Sequence, residues 1–227
     1  GPFFAWVHYY DPHATYNPPE PYNMLYAKTP YDGEIAFMDS QINRLLKYMK
    51  ENGYYDKTII IAVGDHGESL GEHGERTHAV FIYESTQHVP FLARFPGTER
   101  SNIRIDSVVS HVDIMPTVLD YLEFEVPSQV QGKSLRSMID GKDIIESEEF
   151  AYLESSTPLL HYNWSPLHAL VGEKYKYIQA PKPELYDLEK DPKELNNIHN
   201  ENTKIAAQFE SRLKGMKNEW SEMRLES

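Results

Sequence analysis

Residues Thr58 to Pro90 read TIIIAVGDHGESLGEHGERTHAVFIYESTQHVP, and the fold turns on this stretch. Its opening run, Ile59-Ile60-Ile61-Ala62-Val63, is apolar, rich in β-branched residues and closed by Gly64. Such a run predicts a strand buried on both faces. Asp65, His66 and Gly67 follow at once. A carboxylate and an imidazole at the C-terminal end of a buried strand stand where open α/β sheets hold their ligands. The loop beyond carries Glu68, Glu72, His73, Glu75 and His78 before an apolar segment resumes. Taken alone, Asp-His after a strand is often a solvated turn, and so acidic a loop can be only surface.

Composition bounds the reading. The 227 residues suit one large domain, or one with a small companion. Hydrophobic residues make up 40%, enough for a core. Against 22 basic residues stand 35 acidic ones, which argues against a nucleic-acid partner. Cysteine is absent, so neither a disulfide framework nor a thiolate metal site can form. No apolar run reaches membrane-spanning length. The first residues are Gly1-Pro2 rather than methionine, so missing targeting signals say nothing of compartment.

On the N-terminal side of the decisive stretch, Phe3 to Tyr10 (FFAWVHYY) predicts an aromatic strand ended by Asp11-Pro12-His13. His13 is thus another histidine just past a strand, though by itself it reads as a turn residue. Asn17 to Thr29 reads as loop. Tyr31 to Asn52 predicts a helix, with Ile35, Met38, Ile42, Leu45, Leu46 and Met49 as its core stripe and Gly53 as its stop. Strand, helix, strand implies a βαβ unit and a largely parallel sheet.

On the C-terminal side, Val89 to Phe95 and Ile103 to Val109 read as extended. Ser110 caps a helix to Leu122, with Pro116 tolerated near its start. Gln131-Gly132-Lys133-Ser134-Leu135 superficially looks like a phosphate loop but lacks the preceding glycine and strand. The chain turns polar and acidic around Asp140 to Glu149, which sets a subdomain boundary. Short extended pieces follow at 150–154, 167–171, 175–179 and 184–188. Lys174 to Tyr177 (KYKY) fits a half-exposed strand better than a single-strand nucleic-acid contact. Thr203 to Met223 predicts an amphipathic helix with Ile205, Phe209, Leu213, Met216 and Trp220 on its apolar side.

Several strings together resemble the sulfatase family of the alkaline phosphatase superfamily. They are Asp65 to Gly74, Thr77-His78, Ile82-Tyr83-Glu84, Val89-Pro90, Asp11-Pro12-His13, Val112 to Asp120, and Glu184 to Leu188 with Asp191-Pro192-x-Glu194 and Asn196-Asn197. Thr15 stands where the family commonly has proline. The resemblance implies an α/β fold: the C-terminal part of an alkaline-phosphatase-like, mostly parallel sheet flanked by helices, spanning residues 1–145. A small α+β C-terminal subdomain with short antiparallel strands and a terminal helix would span 146–227.

The same resemblance implies metal-dependent cleavage of sulfate esters. It makes Asp65 and His66 metal ligands, His13 the acid for the leaving oxygen and His78 a grip on the sulfate. The cation would be Ca²⁺ first, with Mg²⁺, Mn²⁺ or Zn²⁺ open. The family's N-terminal half carries an Asp-Asp strand and a Cys/Ser-x-Pro-x-Arg motif oxidised to formylglycine. This chain has neither; Ser156-Thr157-Pro158-Leu159-Leu160 lacks the arginine. The expectation is therefore a C-terminal half, inactive alone, whose partner is the N-terminal half and whose substrate is a sulfated small molecule or glycan. An unpartnered sheet edge would favour self-association. Family analogy favours an exported protein: periplasmic, surface-bound or secreted. A phosphate or phosphonate ester hydrolase, and a non-catalytic metal- or glycan-binding domain, are the alternatives.

Overall fold

The structure, a computed structural model, describes residues 1–98, 102–142 and 149–223, with side chains as far as 219. The chain divides into two compact units, Gly1–Ile59 and Ile60–Ser227. The boundary expected at 145/146 and the Trp220 side chain lie outside the described residues.

In the first unit, α1 (Tyr22–Leu25) leads into α2 (Pro30–Glu51). Pro30 sits at the first helical position, where its missing N–H costs nothing. Gly53 ends the helix with a φ of +71°, a conformation that glycine adopts freely. The expected core stripe of α2 is only half-buried, and Ile35 and Leu45 are exposed. The buried residues of α2 are Gly33 and Glu34. A Cβ on Gly33 would stand 2.8 Å from the Pro18 ring, so the 17–21 loop lies directly on the helix. The Phe3–Tyr10 segment, expected as a strand, forms none and joins no ladder among the described residues. A strand exists only where its amides find a neighbour. Phe4 and Trp6 accordingly stand 90% and 86% exposed.

In the second unit, β1 (Ile60–Val63) is followed by the long loop, then α3 (Glu84–Gln87) and β2 (Phe91–Arg94). β1 and β2 pair antiparallel, Ile60 opposite Arg94 and Val63 opposite Phe91. This corrects the expected largely parallel arrangement: every strand pair among the described residues is antiparallel. It also corrects the expected burial. β1 is partly accessible along its length because a two-stranded ribbon leaves one edge and much of both faces open.

Ile103 to Val109 forms no strand. Ser110 does cap as expected: its amide donates to Asp113 at 2.8 Å, opening a turn of 3-10 helix that leads into α4 (Ile114–Tyr121). Pro116 lies in that first turn, where no N–H is required. The 131–135 string is a brace rather than a phosphate loop. A Cβ on Gly132 would stand 1.9 Å from the Val112 carbonyl oxygen. The Lys133 amide donates to Asp113, and the Leu135 amide to the Thr117 hydroxyl. The next helix is α5 (Arg136–Asp140). Ser134 donates to Asp120 at 2.5 Å, and this bond, with Arg136, holds the Asp120 carboxyl below its usual range.

The last part is an antiparallel sheet in simple sequence order: β3 (Ala151–Ser155), then α6 (Thr157–Tyr162), β4 (Leu167–Val171), β5 (Tyr175–Gln179) and β6 (Glu184–Asp187). Strand periodicity of two divides its side chains between two faces. Leu170, Tyr177 and Leu185 pack with Ala206, Phe209 and Leu213 of α7 (Thr203–Met223). Ala169, Ile178 and Tyr186 pack with Ile82 from the loop after β1. Both Lys176 and Tyr177 are buried, so the KYKY string is more deeply packed than a half-exposed strand. Among the described residues no helix is long and apolar enough to cross a membrane.

Candidate active site

The C-terminal end of β1 is pinned on two sides. The Gly64 amide donates to the Pro90 carbonyl at 3.1 Å, and His111 Nε2 meets the Gly64 carbonyl at 2.8 Å. Beyond this point the Asp65 carboxylate stands 80% exposed. The His66 amide donates to Asp65 Oδ1 at 2.9 Å. His66 Nδ1 lies 2.8 Å from the Gly67 carbonyl, which can only accept, so Nδ1 carries the hydrogen. That leaves the Nε2 lone pair available, 3.8 Å from Asp65 Oδ2.

His78 arrives from the far side of the loop and stacks on His66, ring centres 3.8 Å apart and planes 30° from parallel. His78 Nδ1 faces Glu68 Oε1 at 3.3 Å. The Glu68 side chain is only 5% exposed. A carboxylate accepts and never donates when ionised, so it selects the Nδ1–H form of the ring.

The loop that brings these groups together is tied internally. Gly67 donates its amide to the Thr86 carbonyl at 2.8 Å. Buried Ser69 donates its amide to the Thr77 carbonyl at 2.8 Å, and its hydroxyl reaches the Glu75 carbonyl at 2.9 Å. Buried Glu75 accepts the amides of Val80 and Phe81 at 2.8 and 3.2 Å. Glu72 accepts the Leu70 amide at 2.6 Å, and backbone donors, its own amide first, hold its carboxyl below the usual range. His73 stacks on Tyr83 at 3.6 Å and donates to the Lys193 carbonyl at 3.0 Å. Burial and the neighbouring Glu184 carboxylate push the Tyr83 hydroxyl well up, so it remains a donor to Glu184 at 3.0 Å.

In the first unit, the His13 ring stacks on Tyr10, and its backbone amide donates to Glu34 Oε2 at 2.9 Å. The other Glu34 oxygen accepts the Asn17 amide at 2.5 Å. One buried carboxylate on α2 thus organises the turn that carries His13.

Two family profiles match this chain. The one described as Sulfatase matches residues 1–124, more than half of its length. The chain belongs to the sulfatase family. A second profile, N-sulphoglucosamine sulphohydrolase, C-terminal, matches residues 71–219. An arylsulfatase of Clostridium perfringens is 34% identical over 180 residues, covering 77% of this chain and 36% of that protein. A solved structure in complex with its substrate D-glucosamine-2-N,6-O-disulfate matches with TM-score 0.70 and 29% identity, over 85% of this chain and 40% of that one. The phosphonate monoester hydrolase of Agrobacterium radiobacter matches with TM-score 0.73 and 25% identity, over 85% and 41%. This chain therefore spans little more than a third of the length of that curated relative. These neighbours support the alkaline-phosphatase-like fold class even though the ladders seen here are antiparallel.

Of the four residues singled out in this chain, Asp65, His66 and His78 come together in the second unit, and His13 belongs to the first. His73 and Glu72 are loop structure. Two residues escaped the sequence reading: Glu68 as the partner of His78, and Glu34 as the anchor of the His13 turn. Glu68 was visible as the residue after Asp-His-Gly, but which imidazole it meets depends on how the loop closes. Glu34 had no signal, being one acidic residue in a charged helix. Among the described residues no three His, Asp or Glu side chains gather as a complete metal cage. Asp65 and His66 form a two-donor pair, and its chemistry suits a divalent cation. The carboxylate is open to solvent, and the imidazole is fixed through its other nitrogen, as in metal-bound histidines.

Proposed function

We propose that this chain is the C-terminal part of an enzyme that hydrolyses sulfate esters with the help of a divalent cation. The observation that carries the reading is the meeting of Asp65, His66 and the Glu68-paired His78 at the end of β1 in a sulfatase-family chain. A sulfate ester is anionic and repels an attacking oxygen, so its hydrolysis needs positive charge and directed donors at the sulfate. Asp65 and His66 would hold the cation, which supplies that charge when bound. The hard carboxylate favours Ca²⁺, with Mg²⁺ next, while the imidazole also suits Mn²⁺ or Zn²⁺. Further ligands and the formylglycine nucleophile are proposed for the part of its relatives' length that this chain does not span.

Within the chain, His78 directs Nδ1–H to Glu68 and offers Nε2–H, when protonated, to the sulfate oxygens. His13 is the proposed general acid. As the S–O ester bond breaks, it gives its proton to the departing alkoxide, and water ultimately supplies the fourth oxygen of free sulfate. The substrate is proposed to be a sulfated glycan or small molecule, a choice supported by the disulfated glucosamine named for one structural neighbour. Residues 1–145 would contribute the catalytic portion and 146–227 the small subdomain. The isolated chain would be inactive, and exposed Phe4 and Trp6 favour its association with the N-terminal half or with itself. An exported location follows from family analogy.

The test uses the intact enzyme and an aryl or sugar sulfate. Asp65→Ala and His13→Ala should each lower turnover by at least about 10²-fold, the scale expected for a lost electrostatic or acid–base contribution. Unchanged turnover in either variant would remove that residue from the site. The phosphonate monoester hydrolase neighbour favours one second reading, a phosphonate ester hydrolase. A kcat/KM higher for a phosphonate monoester than for any sulfate ester would establish it instead.

A further inference from the structure

The Asp191-Pro192-x-Glu194 string has no part in the chemistry just described, yet its glutamate is 2% exposed. Glu194 Oε1 lies 3.0 Å from Lys176 Nζ, and Oε2 accepts the Glu84 amide at 2.6 Å. Lys176, on β5, is wholly buried and also reaches Glu84 Oε1 at 2.9 Å. Glu84 opens α3. Two residues on, buried Thr86 offers its carbonyl to the Gly67 amide at 2.8 Å. Gly67 in turn gives its own carbonyl to His66 Nδ1 at 2.8 Å. Short polar contacts, joined through the backbone of α3 and of Gly67, therefore link the C-terminal sheet to the imidazole beside Asp65.

A buried ion pair contributes little net stability compared with apolar side chains of the same volume. What this one adds is direction, because a carboxylate locked by a lysine accepts a single amide at a fixed point. We propose that Lys176 and Glu194 are positioning residues: by fixing the amino end of α3 they fix Gly67, and through it the tautomer and orientation of His66. The inference rests on the reading of Asp65 and His66 as cation ligands. Neither Lys176 nor Glu194 is given any contact with substrate. Burial pushes the Glu194 carboxyl up while Lys176 opposes that rise.

The experiment uses the intact enzyme with Lys176→Met/Glu194→Met, which replaces the pair by apolar side chains of similar length. Glu194→Gln serves as a milder companion that keeps the shape and one acceptor. Three quantities are read on folded protein: thermal midpoint, the imidazole Cε1–H resonances of His66 and His78, and Ca²⁺ affinity by calorimetry. Loss of a group that orients a ligand typically weakens metal binding 10- to 100-fold. The expected result is a folded variant with shifted His66 and His78 resonances and Ca²⁺ binding weakened by roughly that factor. Resonances and affinity that match the parent in the folded variants would overturn the proposal and leave the pair a packing feature. Should the parent enzyme bind no cation at all, the ligand reading fails separately. The histidine resonances then still decide whether the pair orients His66.

Discussion

The Gly67 amide donates to the Thr86 carbonyl at 2.8 Å, and the place a Cβ would occupy on Gly67 lies 2.3 Å from the Ser85 carbonyl oxygen. The glycine of Asp-His-Gly is therefore required by the close approach of α3. Gly67→Ala must push two backbone segments apart. Overpacking of this kind costs about 1–3 kcal/mol. In the intact enzyme the expected outcome is a lower urea midpoint and, if Asp65 and His66 hold the cation, a larger fractional loss of turnover than of folded protein, because both move with the backbone. Parent-like turnover per folded molecule would show that the loop tolerates the shift.

Glu75 closes the loop by accepting two amides from the Val80–Phe81 segment while buried. Glu75→Ala leaves both donors without acceptors. Hydrogen bonds to a charged group are each worth about 1.5–3 kcal/mol, so a loss of about 3 kcal/mol is expected. Glu75→Gln keeps one acceptor oxygen and should lose less. Chemical denaturation of the three proteins side by side gives the ranking.

Glu34 plays the same part for the His13 turn, holding the amides of His13 and Asn17. Glu34→Gln can satisfy one amide and Glu34→Ala neither. If His13 is the acid, kcat should fall in that order while KM changes little, since the leaving group is protonated only as the bond breaks. The fall should be smallest for substrates with good leaving groups such as nitrophenyl sulfate. Equal losses across leaving groups would take His13 out of that role.

His168 on β4 has its pKa lowered, first by burial and then by the charge of Lys217, with Glu154 opposing. The folded state therefore binds a proton less readily than the unfolded chain, whose histidine titrates near 6.5. Stability from this group is present above pH 6.5 and is lost as pH falls below it towards the depressed folded value. Urea midpoints measured from pH 7.5 to 5 should decline, and His168→Gln should make the decline shallower. An identical slope in the variant would assign the pH dependence to other groups.

Local chemistry made much of this protein legible. α2, α4, α7 and the four short strands of the C-terminal sheet stand within a few residues of where periodicity and capping place them. Pro30, Gly53 and Ser110 act through their own backbones, so neighbours are not needed to read them. The Asp65-His66-Gly67 step could be found because its spacing is local.

Tertiary structure decided what depends on partners. The α2 stripe is helical but at most half-buried, and Phe3–Tyr10 pairs with no strand among the described residues, because burial and strand pairing belong to the surface an element meets. The same holds for the site. Sequence order places Glu68 ten residues from His78 and Glu194 eighteen from Lys176, and nothing local says that either pair meets. A turn is determined by the torsions of the residues within it. An ion pair or a stacked imidazole is determined by where the whole chain folds back, and only the packed structure brings those side chains within reach.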